Sequence, residues 1–450
     1  MDWNKLLSAK RYHPGPSTSL FHTHDRSQFQ RDYDRLVFSS PFRRLQNKTQ
    51  VFPLPGNIFV HNRLTHSLEV SCVGRSLGNK VAQFLKNRKI KLERPDLLEE
   101  IGTIVSSACL AHDLGNPPFG HSGEEAISQF FSEGQGLYLK KLLSDEEWAD
   151  LSHFEGNANA FRLLTHNFRG RRPGGYTMTY ATLGSIVKYP FESKASHKGG
   201  YKYGFFQSER DTFRQIADDL GIIQMSEKPL QYARHPLVYL VEAADDICYQ
   251  IMDIEDSHKL KILSYDETVT ALENFYNKDD DKEDLKTIKH TFSVVTDVNE
   301  RIAFLRAGII NKLINACSDI FCAHYDDIME GRFESSLIKE LSGKNKIAYE
   351  ECTALAYKRI YHTSIVTQIQ IAGFKILATI LKEYTDAILK PETYYARNLL
   401  SVMPEQYGVD KEASMYTKIQ TVIDYVSGMT DSYALNLYRK IQGIELPEIH

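Results

Sequence analysis

Long apolar runs are missing from this 450-residue chain. No stretch approaches the roughly 18 consecutive apolar residues that suggest a membrane-spanning helix. The opening MDWNKLLSAKRYHPG lacks the apolar centre of a secretory signal. Cysteine is also sparse: Cys72, Cys109, Cys248, Cys317, Cys322 and Cys352 show no CxxC spacing, and most lie in apolar helical text. That argues against a disulfide scaffold and for reduced, buried thiols in a cytoplasmic protein. An excess of charge of one sign is absent too. A net charge of −4 argues against a surface that coats nucleic acid, while leaving room for a local basic pocket.

What is present, 42% hydrophobic and 25% charged residues, suits a globular protein with a large core. Helical periodicity dominates. It predicts helices over 26–37, 67–85, 95–114, 154–168, 177–188, 209–220, 236–256, 265–277, 294–328, 346–387 and 412–441. The stretch 50–62, around PLPGN, predicts a small β-hairpin. Residues 170–204 are loop-like and basic, and NKDDDKEDLK (277–286) reads as a charged surface turn. No internal repeat or clear linker appears. The expectation is an all-α fold: one large helical domain over 1–450, with a C-terminal helical region over 290–450.

Chemistry concentrates in ACLAHDLGNPPFGHSGEEAI (108–127). An apolar helix delivers the neighbours His112 and Asp113, whose directions differ by about 100°, so both can reach one ion between them. A carboxylate in such a setting is costly unless paired or bound to metal; a satisfied core histidine is the structural alternative. Gly115, Pro117, Pro118 and Gly120 then enforce a non-helical turn. Ser122 reads as an N-cap with Glu125 as its capping-box partner. That leaves Glu124 unexplained by capping and within reach of His121 three residues before it, as in an acid/base relay. Upstream, His66 stands in HNRLTHSLEV, where Thr65 or Ser67 could cap a helix and His61 competes for any role. Downstream, LVEAADDICYQIMDIED (240–256) carries acids on a largely apolar helix, and Asp245, Tyr249 and Asp253 share one face. Two histidines and two aspartates suit a divalent ion; imidazole with carboxylate fits Mn, Fe, Co, Ni or Zn.

His66, His112–Asp113 and Asp245 resemble the H…HD…D signature of HD-domain metal-dependent phosphohydrolases. The flanking text is more specific. FRRLQNKTQVF (42–52), NRLTHSLEV (62–70), AHDLGNPPFGHSGE (111–124), HFEGNA (153–158) and EAADDICYQIMDIED (242–256) resemble the deoxyguanosinetriphosphate triphosphohydrolases, as does SGMTDSYALNLYRK (427–440) more weakly.

The resemblance implies an HD phosphohydrolase core over 60–260. His66, His112, Asp113 and Asp245 would bind the metal, with Mn or Mg serving activity. Asp245 is preferred to Asp246 as the first Asp of AADDI. His121 and Glu124 would be the acid/base pair. Gln46 or Gln50 would approach the deoxyribose, Tyr249 and Asp253 the sugar and nucleotide, and Lys188 and Lys202 the triphosphate, with Arg43, Arg44 and Arg63 as further cations. The implied reaction is hydrolysis of dGTP to deoxyguanosine and tripolyphosphate. The alternatives are a broad dNTPase, another HD-type nucleotide phosphohydrolase, or a non-catalytic nucleotide-sensing scaffold. Relatives imply a homo-oligomer, such as a hexamer. Single-stranded DNA is a candidate effector, for which RGRRPGG (169–175) and KNRKIKLER (86–94) are basic enough.

Overall fold

In the computed structural model, the described residues are 1–12, 26–52, 60–195, 202–361 and 363–446. The helices that position the site are α1 (Arg63–Asn87), α2 (Ile101–Ala111), α3 (His121–Ser132), α4 (Gly156–Thr165), α5 (Val238–Lys259), α6 (Ser364–Leu389), α7 (Met415–Ser427) and α8 (Asp431–Ile441).

The start of α1 is set by Asn62, whose side chain accepts from the amides of Leu64 and Thr65 while the Thr65 hydroxyl accepts from the Asn62 amide. The cap is therefore Asn62, with Thr65 its partner; Ser67 is buried within the helix. α2 is buried along nearly its whole length, as its apolar text predicts. It crosses α1 at very short range because the crossing lacks side chains: a Cβ on Gly78 would lie 2.8 Å from the Gly102 Cα. α5 packs across both helices. Val73, Leu77, Val105, Ala108, Ala244, Ile247 and Ile251 are all buried in the larger hydrophobic core.

A second core lies beside it. Ile127 and Phe131 of α3 meet Leu377, Ile380 and Leu381 of α6, Ile423 and Val426 of α7, and Ala434 of α8. The chain is thus mostly helical, and no helix among the described residues is long and apolar enough to cross a membrane.

Several expectations change in detail. The 53–59 part of the expected 50–62 hairpin lies outside the described residues; Thr49 and Asn62 at its flanks form one antiparallel bridge. A two-stranded antiparallel sheet, β1 (Gln224–Glu227) and β2 (Leu230–Tyr232), occurs instead where none was expected, its strands being too short to show a period. The 346–387 span is two helices, Gly343–Arg359 and α6. The 412–441 span divides into α7 and α8 at Gly428–Thr430. The charged 277–286 run leads into a helix, Lys282–Val294. Apolar periodicity passes through such breaks, because the helices on both sides bury an apolar face: α7 and α8 in the second core, Gly343–Arg359 in the larger core and α6 mainly in the second.

Candidate functional site

α2 ends at Ala111, and His112 keeps helical geometry as its C-cap. The His112 Nδ1 lies 2.6 Å from the Cys109 carbonyl oxygen. A carbonyl only accepts, so in the neutral ring Nδ1 carries the proton and Nε2 presents a lone pair. That Nε2 is buried without a hydrogen bond. It lies 3.5 Å from Asp245 Oδ1 and 3.6 Å from Asp113 Oδ1. From α1, His66 brings Nε2 to 3.0 Å from the same Asp245 oxygen. The ligand atoms of His66, His112 and Asp245 all fall within 4.8 Å of one another. An orphaned imidazole nitrogen beside a shared carboxylate is the donor chemistry of a divalent-ion site, and these three residues could hold a metal.

Electrostatics point the same way. Burial lowers the His112 pKa, but the charges of Asp113 and Asp245 outweigh it and raise the value to about 9. Burial likewise opposes ionisation of Asp245, yet His112 and His66 hold its carboxyl well below the usual range. The negative potential that keeps a proton on His112 would favour a divalent cation in its place. Asp113 stands at the margin of this group. Its Oδ2 takes the Arg63 guanidinium at 2.6 Å, and its Oδ1 accepts from the Asn116 amide.

His121 opens α3. The expected capping box between Ser122 and Glu125 is not formed: the N-cap is Gly120 at φ 60°, Ser122 lies inside the first turn, and Glu125 is exposed. The Gly-Pro turn delivers the chain two residues earlier than that box requires. His121 Nδ1 lies 2.9 Å from Glu124 Oε2, while Glu124 Oε1 accepts the Gly156 amide at 2.8 Å. The His121 side chain is 77% exposed and that of Glu124 only 9%, so a fixed carboxylate orients an accessible imidazole. The Glu124 hydrogen bond and charge raise the His121 pKa. Burial alone would raise that of Glu124, but His121, Lys202 and the Gly156 amide bring it down.

His112 and Asp245 open onto one cavity of about 270 Å³ together with His121 and Glu124, while His66 stands behind them, off the cavity. Lys188 and Lys202 line it as expected, each already paired: Lys188 Nζ is 3.2 Å from Glu242, and Lys202 Nζ is 2.7 Å from Glu155. Gln50 also lines it, with its Oε1 buried and unpartnered. Gln46 lies exposed on the Leu45–Asn47 turn and outside the cavity. Tyr249 forms a wall. Asp253 is not on the cavity; it lies behind Tyr249 in a narrow crevice, where Tyr361 donates to it at 2.6 Å and burial pushes its pKa up to about 8. Of the three arginines, only Arg63 lines the cavity; Arg44 faces a separate cleft and Arg43 is exposed. His61 has both ring nitrogens engaged, by Asp256 and Glu69, which removes it as a rival to His66.

Asn116, Glu155, Asn157, Tyr189 and Glu242 line the cavity without having been singled out, and so does Asp246, which was set aside in favour of Asp245. Glu242 had a legible signal, since it precedes Asp245 by three residues on the same helix. Glu155 had only its place in HFEGNA (153–158), since no local spacing shows that it arrives at the cavity from the start of α4. Asp113, Glu124, Glu155, Glu242, Asp245 and Asp246 face Arg63, Lys188 and Lys202. With carboxylates in excess, a polyanion needs added cationic charge to enter.

Residues 63–193 match the HD domain, and residues 341–440 match the phosphohydrolase-associated domain. A Synechocystis protein described as deoxyguanosinetriphosphate triphosphohydrolase-like is 40% identical over 99% of this chain and 100% of its own length. The chain belongs to the deoxyguanosinetriphosphate triphosphohydrolase-like family. A Pseudomonas aeruginosa member is 37% identical over 99% of this chain and all of its own. A Yersinia enterocolitica protein described as deoxyguanosinetriphosphate triphosphohydrolase is 28% identical over 99% of both. Within this family member, the HD match contains His66, His112, Asp113, His121 and Glu124, whereas Asp245 comes from beyond it on α5.

Proposed function

We propose that this protein is a metal-dependent triphosphohydrolase of deoxynucleoside triphosphates, with dGTP as substrate. It would release deoxyguanosine and tripolyphosphate in one step. The observation that supports this reading is the shared cavity, with His112 and Asp245 on one side, backed by the buried His66, and the His121–Glu124 pair on the other. The full-length relatives, one described as a deoxyguanosinetriphosphate triphosphohydrolase and the other as like one, support the substrate class.

Water attacks the α-phosphorus, a new P–O bond forms, and the bond to the 5′-oxygen breaks. His66, His112 and Asp245, with Asp113 beside them, would hold the divalent ion. When bound, Mn or Mg (Fe, Co, Ni and Zn also suit the donors) supplies Lewis-acid stabilisation of charge on the phosphate oxygens. His121 moves the proton. Glu124 keeps its imidazole protonated and directed, which favours donation to the departing 5′-oxygen over removal of a proton from water. Arg63, Lys188 and Lys202 take up the tripolyphosphate oxygens, exchanging carboxylate partners for phosphate. Gln50 and Tyr249 line the sugar, with Asp253 supporting Tyr249 from behind. A homo-oligomeric, cytoplasmic enzyme responsive to single-stranded DNA through the 169–175 loop completes the reading.

The test is product analysis of dGTP incubated with the purified protein and Mn or Mg, with GTP and the other dNTPs in parallel. Deoxyguanosine plus tripolyphosphate is expected. Deoxyguanosine monophosphate plus pyrophosphate would overturn the leaving-group assignment. Equal turnover of all four dNTPs would replace dGTP by a broad substrate class.

A further inference from the structure

The SGMTD text at 427–431 plays no part in the cavity, yet it contacts the turn that delivers His121. Asp431, the first residue of α8, is buried. Its Oδ1 accepts the Phe119 amide at 3.0 Å. Its Oδ2 accepts the Thr49 amide at 2.9 Å and the Thr49 hydroxyl. Phe119 has φ 63° and Gly120 φ 60°, so two successive left-handed residues stand immediately before His121. A bulky residue holds that conformation only where its surroundings impose it. The Asp431 carboxylate is one such constraint, and the Phe119 ring wedged against Gly373 of α6 is another. The preceding residues are held from the same side. The buried Lys48 ammonium donates to the Asn116 carbonyl at 2.5 Å and the Ser427 carbonyl at 2.8 Å. Asn159 donates to the Gly115 carbonyl at 2.7 Å and to the Ser427 hydroxyl at 3.1 Å.

We propose that Asp431 is a positioning residue: by holding the Phe119 amide it fixes the left-handed reversal that aims His121 at Glu124 and at the cavity. This rests on the proton-transfer role proposed above for His121. The second core is then part of the reaction apparatus, since α8 sets the direction of the relay while the metal cluster depends on the first core.

Two full-length variants and two readouts test it. Asp431→Asn replaces one acceptor oxygen by an amide that cannot accept from an N–H. Thr49→Val removes one bond to Asp431 and leaves the Phe119 amide alone. The His121 imidazole pKa is followed by NMR on histidine-labelled protein, and kcat, KM and Mn2+ affinity are measured with dGTP. In Asp431→Asn the raised His121 pKa is expected to fall back toward the ordinary imidazole value, and kcat to drop about 10²-fold. KM is expected to stay within roughly twofold, with Mn2+ binding unchanged. Thr49→Val should leave both the pKa and kcat in place, even if both variants melt earlier. In a His121→Ala background, Asp431→Asn should cost no further rate. An unshifted His121 pKa in Asp431→Asn, or a rate loss repeated in full without His121, would overturn the proposal. A wild-type protein that binds Mn2+ but turns over no nucleotide would instead sink the proposed reaction, and the NMR arm would still decide whether Asp431 positions His121.

Discussion

His66, His112 and Asp245 meet from three helices packed into the larger core, where glycine-lined crossings fix their backbones to one another, and His112 and Asp245 face the cavity. His121 and Glu124 begin a helix whose apolar face belongs to the smaller core, and a strained turn alone connects them to His112. The first group is preorganised, with His66 buried, His112 and Asp245 half-buried at the cavity, and the His112 tautomer set by a local carbonyl bond to Cys109. The second has an exposed imidazole whose direction depends on Gly156 and Asp431, both distant in sequence. A metal cluster tolerates little displacement of its donors, so it belongs on rigid helices. A proton-transfer group must meet substrate and solvent, so it stands at a helix start with its constraint supplied from behind.

The comparison can be broken first at the metal side. Asp245→Ala or His112→Ala should lower kcat by about 10³-fold or more and remove Mn2+ binding in a calorimetric titration. Full Mn2+ affinity in both would disprove the cluster. On the opposite wall, His121→Ala should cost roughly 10²–10⁴-fold in kcat while Mn2+ binding persists, separating the two groups by experiment. Gln50→Ala should lower kcat/KM by about tenfold, through loss of a buried polar contact to substrate; Gln46→Ala, measured beside it, should change nothing.

A pH profile sharpens the relay. Because Glu124 raises the His121 pKa, the protonated ring persists above the ordinary imidazole range. A rate that needs His121 as donor holds at low pH and falls as pH rises through the raised value. Any stability from the His121–Glu124 pair is present below the unfolded pKa and lost over the same interval. Glu124→Gln should move the limb to lower pH; an unmoved limb would assign it to another group. The smallest effect is expected at Glu125→Ala. With no capping box, the change in unfolding free energy by denaturant titration should stay within about 0.5 kcal/mol, where a real box would cost about 1 kcal/mol.

Legibility followed the same division. His112 and Asp245 stood out because each lies on largely apolar helical text, and the spacing of Asp245 and Tyr249 placed both on one face, whereas His66 was assigned only through the family resemblance. The i,i+3 relation of His121 and Glu124 was equally local. The cap of α3 was misread because Ser122 and Glu125 satisfy the residue pattern of a capping box, and only the φ of Gly120 shows that the helix starts earlier. Gln46 and Gln50 were indistinguishable in text, since a short turn carries no period to say which side faces inward. Asp253 shares a face with Asp245, but a helix face two turns long spans more than one cavity.

The sequence by itself determined the helical class and the family, and it supplied the residue types of both proposed groups, because these depend on residue type and on spacing within a single element. Tertiary structure alone decided that Asp113 turns to Arg63, that Lys188 and Lys202 rest on Glu242 and Glu155, and that Asp431 reaches the Phe119 amide from more than 300 residues away. Those are contacts between elements, and their geometry is set by how two separately formed cores dock, which no local pattern of residues encodes.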